Sequence, residues 1–184
     1  MTHEDNQQAT PSKCEIAWLA GLIEGDGTLA LSVHERRGHE GSNPKISVLV
    51  RIYNTDAAII KKCTEILDKL GVGCHIEERE MKPLLKPDGN GAYHSPDPML
   101  AVSVKKFDGM LTLMNKLRPW LFGDKAPRAD LILKFLTRRL AYIEKEGNGN
   151  TRIAYQREDL ETVREFYGLT RKSLNLNLER VLND

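Results

Sequence analysis

The sequence predicts an α+β domain: a helix, a long antiparallel hairpin, a second helix, a second hairpin and further helices, with a saddle-shaped sheet covered on one face. Three observations carry this. After Gly27 the apolar period changes from 3.6 to 2. Two runs of strict alternation follow, Leu29/Leu31/Val33 and Ile46/Val48/Val50/Ile52. Segments of helical spacing flank that pair, one ending near Gly25 and one opening near Thr55.

In chain order, residues 1–12 are polar and expected to be disordered. Ser12 is a helix cap, and Glu15 three residues on completes a capping box. The helix runs to about Gly25 with Ile16, Leu19, Leu22 and Ile23 as its core face. Arg36 to Asn43 is a charged, glycine-containing loop between the two strands of the first hairpin. Asn54 or Thr55 caps a helix over about Asp56 to Leu70, and Gly71 stops it. Val72 to Met81 reads as a third strand, Lys82 to Pro98 as a loop without an element, and Met99 to Lys105 as a fourth strand. Helices follow over about Gly109 to Leu117 and Arg128 to Glu144, joined by the loop Pro119 to Pro127. After a Gly/Asn linker at 147–150, two short helices, Arg157 to Tyr167 and Arg171 to Leu182, close the chain. This divides it into a core of residues 13–146 and a helical extension of 147–184.

Composition sets bounds. Of 184 residues 40% are apolar and 29% charged, which suits a soluble globular domain. No apolar run approaches a membrane span, and the first residues lack the apolar stretch of a signal peptide, so an intracellular protein without membrane partners is expected. The three cysteines, Cys14, Cys63 and Cys74, form no CxxC pair and read as reduced packing residues. A net charge of +1 gives nucleic-acid binding no support by itself, so the placement of charge decides. From Arg118 to Arg139 six basic residues face two acidic ones.

The stretch Leu19-Ala20-Gly21-Leu22-Ile23-Glu24-Gly25-Asp26-Gly27 is physically odd. It ends a helix on two acids, where the helix dipole disfavours carboxylates. A bound cation would offset that cost. Gly21 and Gly25 each cost about 1 kcal/mol inside a helix relative to alanine. With Ala17 they form a flat stripe at a spacing of four, which lets another backbone come close. The stretch asks for a second helix and a metal.

LAGLIEGDG is similar to the signature motif of the LAGLIDADG homing endonucleases. The order α-ββ-α-ββ-α with the motif helix first resembles that family's fold, and the chain from about Cys14 onward resembles its single-motif, homodimeric subgroup. The resemblance implies metal-dependent double-strand cleavage of a long, pseudo-palindromic DNA site, with Mg²⁺ as cofactor, Ca²⁺ supporting binding without cleavage and Mn²⁺ able to substitute. It implies no small-molecule substrate. Asp26 and the carbonyl of Gly25 would bind metal, Asn54 (or Thr55) would orient water, and Lys125, with Arg128 as second choice, would face the scissile phosphate. Glu24 would be structural. No second copy of the motif occurs, so half a site per chain implies a homodimer. Its interface would be Ala17, Trp18, Gly21, Leu22 and Gly25. Two Asp26 carboxylates at ~5 Å across the axis would repel by about 3 kcal/mol at an effective dielectric of ~20, which again favours bound cations.

A two-stranded ribbon fits the major groove of DNA. The outward residues expected to read bases are Thr28, Ala30, Ser32, His34 and Arg36 on the first strand and Lys45, Ser47, Leu49 and Arg51 on the second. His75, Glu77 and Arg79 on the third, and Ala101 and Ser103 on the fourth, complete the face. Arg128, Arg138, Arg139, Arg171, Lys172 and Ser173 are expected at phosphates. Leu160 to Leu182 also reads as a weak helix-turn-helix. This leaves an alternative, a non-catalytic DNA-binding regulator or an intron RNA maturase on the same core.

Overall fold

The structure, a computed structural model, describes residues 10–34, 44–79, 84–85, 92–93, 98–146 and 154–170. Residues 1–9 of the expected disordered start, the loop with Arg36, the linker at 147–150 and the last helix with Arg171, Lys172 and Ser173 lie outside the described residues.

Helix α1 (Lys13–Asp26) opens on the expected capping box. Ser12 Oγ accepts from the Glu15 backbone N–H, and Glu15 Oε2 accepts from the Ser12 N–H at 2.9 Å. Its buried face is Ile16, Leu19, Ala20 and Ile23, while Leu22 is only partly buried. Strand β1 (Gly27–His34) follows without a connecting loop. Gly27 makes this possible: its N–H still donates to Ile23 O, and a Cβ there would lie 2.6 Å from Ile23 Cα and 2.8 Å from Ile23 O.

β1 pairs antiparallel with β2 (Lys45–Asn54) from Gly27↔Ile52 to His34↔Lys45. The two strands bury Leu29, Leu31, Val33, Ile46, Val48, Val50 and Ile52 on one side, as the alternation requires. Helix α2 (Ala57–Lys69) is capped by Asp56, one residue later than expected, whose Oδ1 accepts from the Ala58 N–H at 2.8 Å. Gly71, at φ +67°, stops it. The Gly71 N–H returns to Asp68 O and the Val72 N–H to Leu67 O, a Schellman pairing. Val72 therefore belongs to the helix stop, and β3 (His75–Arg79) begins at His75 and not at Val72, residues 80 and 81 of the expected strand lying outside the described residues.

The expected loop after β3 holds a two-residue ladder, β4 (Leu84–Leu85) against β5 (Ala92–Tyr93). β6 (Met99–Val104) then enters the main sheet between β2 and β3, so the order is β1-β2-β6-β3, antiparallel throughout. Helix α3 (Phe107–Leu117) and a 3-10 turn (Arg118–Trp120) lead to α4 (Lys125–Glu146), which starts three residues before the expected position. Pro127 is tolerated because first-turn N–H groups have no intrahelical acceptor. Helix α5 (Arg157–Gly168) packs on α4 and β1 and adds Leu160, Val163 and Phe166 to the same core.

Lys62 and Lys69 reach across from α2 to Glu15 Oε1 at 3.0 and 2.7 Å. Lys69, with the Ser12 N–H and Lys62, holds the Glu15 carboxyl at about 2.

Gly27→Ala forces a methyl group against backbone and is expected to cost about 1–3 kcal/mol, read as a lower urea midpoint; an unchanged midpoint contradicts the close approach. Glu15 titrates near 2 when folded against 4.5 in the ordinary chain, so its contribution is complete above pH 4.5 and is lost as pH falls toward 2. Glu15→Gln should therefore lower Tm at neutral pH and show a smaller further drop on acidification, measured by circular dichroism; an acid-induced drop equal to that of the wild type would disprove the role.

Candidate active site and nucleic-acid interface

The C-terminal end of α1 is the chemical focus. Its last carbonyls carry the negative pole of the helix. The ammonium of Lys125, the first residue of α4, donates to Glu24 O at 2.6 Å and also to Ile23 O. Burial pushes this ammonium below the usual lysine range, against the opposing pull of Glu24 and Asp26. The cation that offsets the dipole in this chain is thus a side chain, a partner the sequence reading did not consider there. Lys125 lies within the electrostatic reach of Asp26, and its ammonium is turned to the helix end. Glu24 acts structurally, its Oε1 accepting from the Phe122 backbone N–H at 2.7 Å. The two contacts run in opposite directions and lock the α1 terminus to the start of α4.

Asp26 differs from its neighbours. Its carboxylate is exposed and makes no hydrogen bond or ion pair with any described residue. Among the described residues no group of three His, Cys, Asp or Glu comes together as a metal cage. At this helix end the described residues offer the Asp26 carboxylate and neighbouring carbonyls. Such hard oxygen donors fit a magnesium-like cation that takes its remaining ligands from substrate phosphates or another carboxylate.

Asn54 has a task of its own. Its Oδ1 accepts from the Asp56 N–H at 2.8 Å, an Asx turn that starts α2. Thr55 is exposed and does not cap the helix.

The glycine stripe is bare. A Cβ at Gly21 or Gly25 would meet nothing within 4 Å. Ala17 and Leu22 are half-buried, and Trp18 is 40% exposed. Phe122, 70% exposed, and Trp120 flank this helix end from the loop before α4. Among the described residues nothing packs close enough to require glycine at 21 or 25.

The outer face of the sheet has two regions. Toward one end the rungs are Thr28↔Arg51, Ala30↔Leu49, Ser32↔Ser47 and His34↔Lys45. Ser32 Oγ lies 2.9 Å from Ser47 Oγ and 3.1 Å from His34 Nε2. Toward β3 the face is charged, with Arg51, His75, Glu77, Arg79 and Lys105 together. Tyr53, which the sequence reading passed over, lies among them, its ring under Arg51 and Arg79. Its place in the alternation, two residues after Arg51, was the signal.

Four expected DNA contacts are corrected. Ser103 is 2% exposed and donates to His75 O at 3.4 Å, because β6 is an inner strand roofed by its neighbours' side chains; Ala101 is buried for the same reason. Arg139 is 1% exposed, donates to Ala154 O at 2.8 Å and stacks 4.3 Å from the Tyr155 ring centre. Arg138 is tied to the buried Asp159 at 2.9 Å, to Glu158 O and to Thr162 Oγ1. Both arginines anchor α5 to α4, where burying Asp159 demands cations. Arg128, second choice for the scissile phosphate, donates to Leu169 O at 2.9 Å, at the end of α5. No described helix is long and apolar enough to cross a membrane.

No family model matches the sequence, and no curated protein matches it. Solved structures match the fold. The chain aligns with the homing endonuclease I-CvuI in complex with its target in the presence of 2 mM Ca, at TM-score 0.60 and 18% identity, over 93% of this chain and 91% of that one. It aligns with the archaeal intron-encoded homing endonuclease I-Vdi141I complexed with DNA at 0.61 and 16%, over 92% and 93%. Against the LAGLIDADG homing endonuclease I-GzeII in complex with a DNA target the values are 0.55 and 10%, over 91% of this chain but 48% of that one. At these identities the likeness is one of fold. The architecture is the LAGLIDADG homing endonuclease fold, with the motif LAGLIEGDG on the helix where that fold begins.

Lys125→Met removes two charge-assisted donors from the α1 carbonyls and is expected to cost about 1–2 kcal/mol of stability. Urea denaturation measures it; a loss under a few tenths would mean the contact is not held in solution.

Proposed function

We propose that the protein is a site-specific homing endonuclease that cuts both strands of a long, pseudo-palindromic DNA target, acting as a homodimer with divalent metal. The observation that carries this reading is Asp26: an exposed, unpartnered carboxylate at the negative end of a helix whose neighbouring glycine face is bare.

A second copy seated on Ala17, Trp18, Gly21, Leu22 and Gly25 accounts for glycines that no described residue of one chain requires. It also brings a second Asp26 close to the first. The correspondence with nearly all of I-CvuI and about half of I-GzeII supports counting this chain as one half of a two-half enzyme. A bound magnesium ion would supply an activated water and charge neutralisation at the phosphate. Asp26 and the Gly25 carbonyl would hold it, with the DNA backbone completing the ligands.

The chain's own part is positioning. Glu24 and Lys125 fix the end of α1, so Asp26 is presented from a rigid helix terminus. Lys125, whose ammonium feels the charge of Asp26, would add positive charge at the phosphate as negative charge builds on it. Asn54, held by its own oxygen, keeps its amide nitrogen for solvent. The sheet's outer face lies in the major groove.

Asp26→Asn is expected to retain DNA binding and lose cleavage by at least about 10³-fold, measured with Mg²⁺ on the cognate duplex, while gel filtration of the wild type gives a dimer. Binding by the wild type without any cleavage would favour the regulator; cleavage by the variant would sink the assignment of Asp26.

A further inference from the structure

The charged end of the outer sheet face is organised around one carboxylate. Glu77 Oε1 accepts from Arg51 Nη2 at 3.3 Å and from Lys105 Nζ at 3.4 Å, and lies 4.0 Å from His75 Nε2. Glu77 Oε2 accepts from Arg79 Nε at 3.3 Å and from Arg79 Nη2 at 2.9 Å. Tyr53 sits across β6 from Glu77, both residues pairing with Ala101. Its hydroxyl accepts from Arg51 Nη1 at 3.1 Å. Its ring centre lies 5.7 Å from the Arg51 guanidinium and 5.9 Å from that of Arg79. Three cations on one carboxylate leave the cluster net positive, more than a bracing ion pair requires.

The two arginines are not equivalent. Arg51 has 14% of its side chain exposed, and its Nη1 and Nη2 are both engaged. Arg79 has 49% exposed. A guanidinium has two edges able to make paired hydrogen bonds. Glu77 occupies the Nε/Nη2 edge of Arg79, and no described residue takes Nη1. The remaining end-on fork matches O6 and N7 of guanine in the major groove. The register sets where this fork reads. Thr28 pairs with Arg51, and Gly27, next to Asp26, pairs with Ile52. Ile76 lies on the Gly27 rung, through Ile52 and Val102, and Arg79 is three residues further along β3, so the fork is three strands across from the end of the motif helix and set off from the proposed cleavage point.

We propose that Arg79 reads a guanine near the centre of each half-site, and that Glu77 and Tyr53 are the positioning residues that aim it. This rests on the DNA-binding reading above and adds a base identity to it. Glu77 has a second effect under this proposal: by holding Arg79 and Lys105 it keeps them off phosphates and so restrains sequence-independent binding.

The test uses the full chain. A double-stranded oligonucleotide library with randomised half-sites is selected for binding in Ca²⁺, and a mixed-sequence duplex is titrated against salt. The wild type should select guanine at a fixed position in each half-site. Arg79→Lys, which keeps the charge on an exposed side chain, should lose that preference by roughly tenfold or more with an unchanged salt slope. Glu77→Gln should weaken the preference several fold and steepen the salt slope by about one, as a released cation turns to phosphate. Tyr53→Phe should weaken the preference without changing the slope. If Glu77→Gln unfolds, the lysine and phenylalanine variants still decide. The same guanine preference in Arg79→Lys overturns the assignment of Arg79. Uniformly weaker binding by Glu77→Gln with an unchanged slope overturns the positioning role. A wild type that binds no duplex at all overturns the endonuclease reading instead.

Discussion

One contact determines how the remaining elements are arranged: the Lys125 ammonium on the terminal carbonyls of α1. A helix that ends on two acids has its dipole and its side-chain charge adding unfavourably at one point. The fold answers with the first residue of a helix more than a hundred positions along the chain. Glu24 returns the interaction to the Phe122 N–H, so a backbone donor in the loop before α4 is satisfied by the same junction. With Glu24 and the carbonyls engaged, Asp26 is the acid of this junction that no described residue holds.

The sheet separates two kinds of work by face. The inner side is apolar almost without exception, and helices α1 to α5 all reach its strands. Small hydroxyl side chains and a knot of guanidinium, phenol and carboxylate divide the outer side between them. The knot exists because β6 is inserted between β2 and β3, which sets Tyr53 and Glu77 on either side of Ala101. Simple hairpin order would have put β3 next to β2 and crowded these long side chains into one rung.

Much of this was legible in the chain. The capping box at Ser12, the change of period at Gly27 and the alternation through Ile52 each have a local cause, so their positions followed from residue type. Burial of Ser103 did not follow, since alternation predicts a side of the strand and not what its neighbours place over it. Arg138 and Arg139 read as surface cations because Asp159, which binds them, is twenty residues away and acidic residues inside a core have no sequence signature. The Schellman stop that shortened β3 was visible in Gly71, but Val72 is equally at home in a strand. At the site, the motif marked Asp26 and Glu24 at the helix end, whereas Lys125 had a neighbour, the helix terminus, that no side-chain pattern displays.

The junction at Gly27 has a mechanical meaning. Helix and strand meet there with no intervening loop, so α1 and β1 move as one lever with its fulcrum at the helix end. The eight residues of β1 reach about 27 Å at ~3.4 Å per residue. A rotation of α1 by about 5° would carry His34 through ~2 Å, on the order of the difference between a hydrogen bond and none. Substitutions on the face of α1 that carries Gly21 and Gly25 therefore shift the far end of β1.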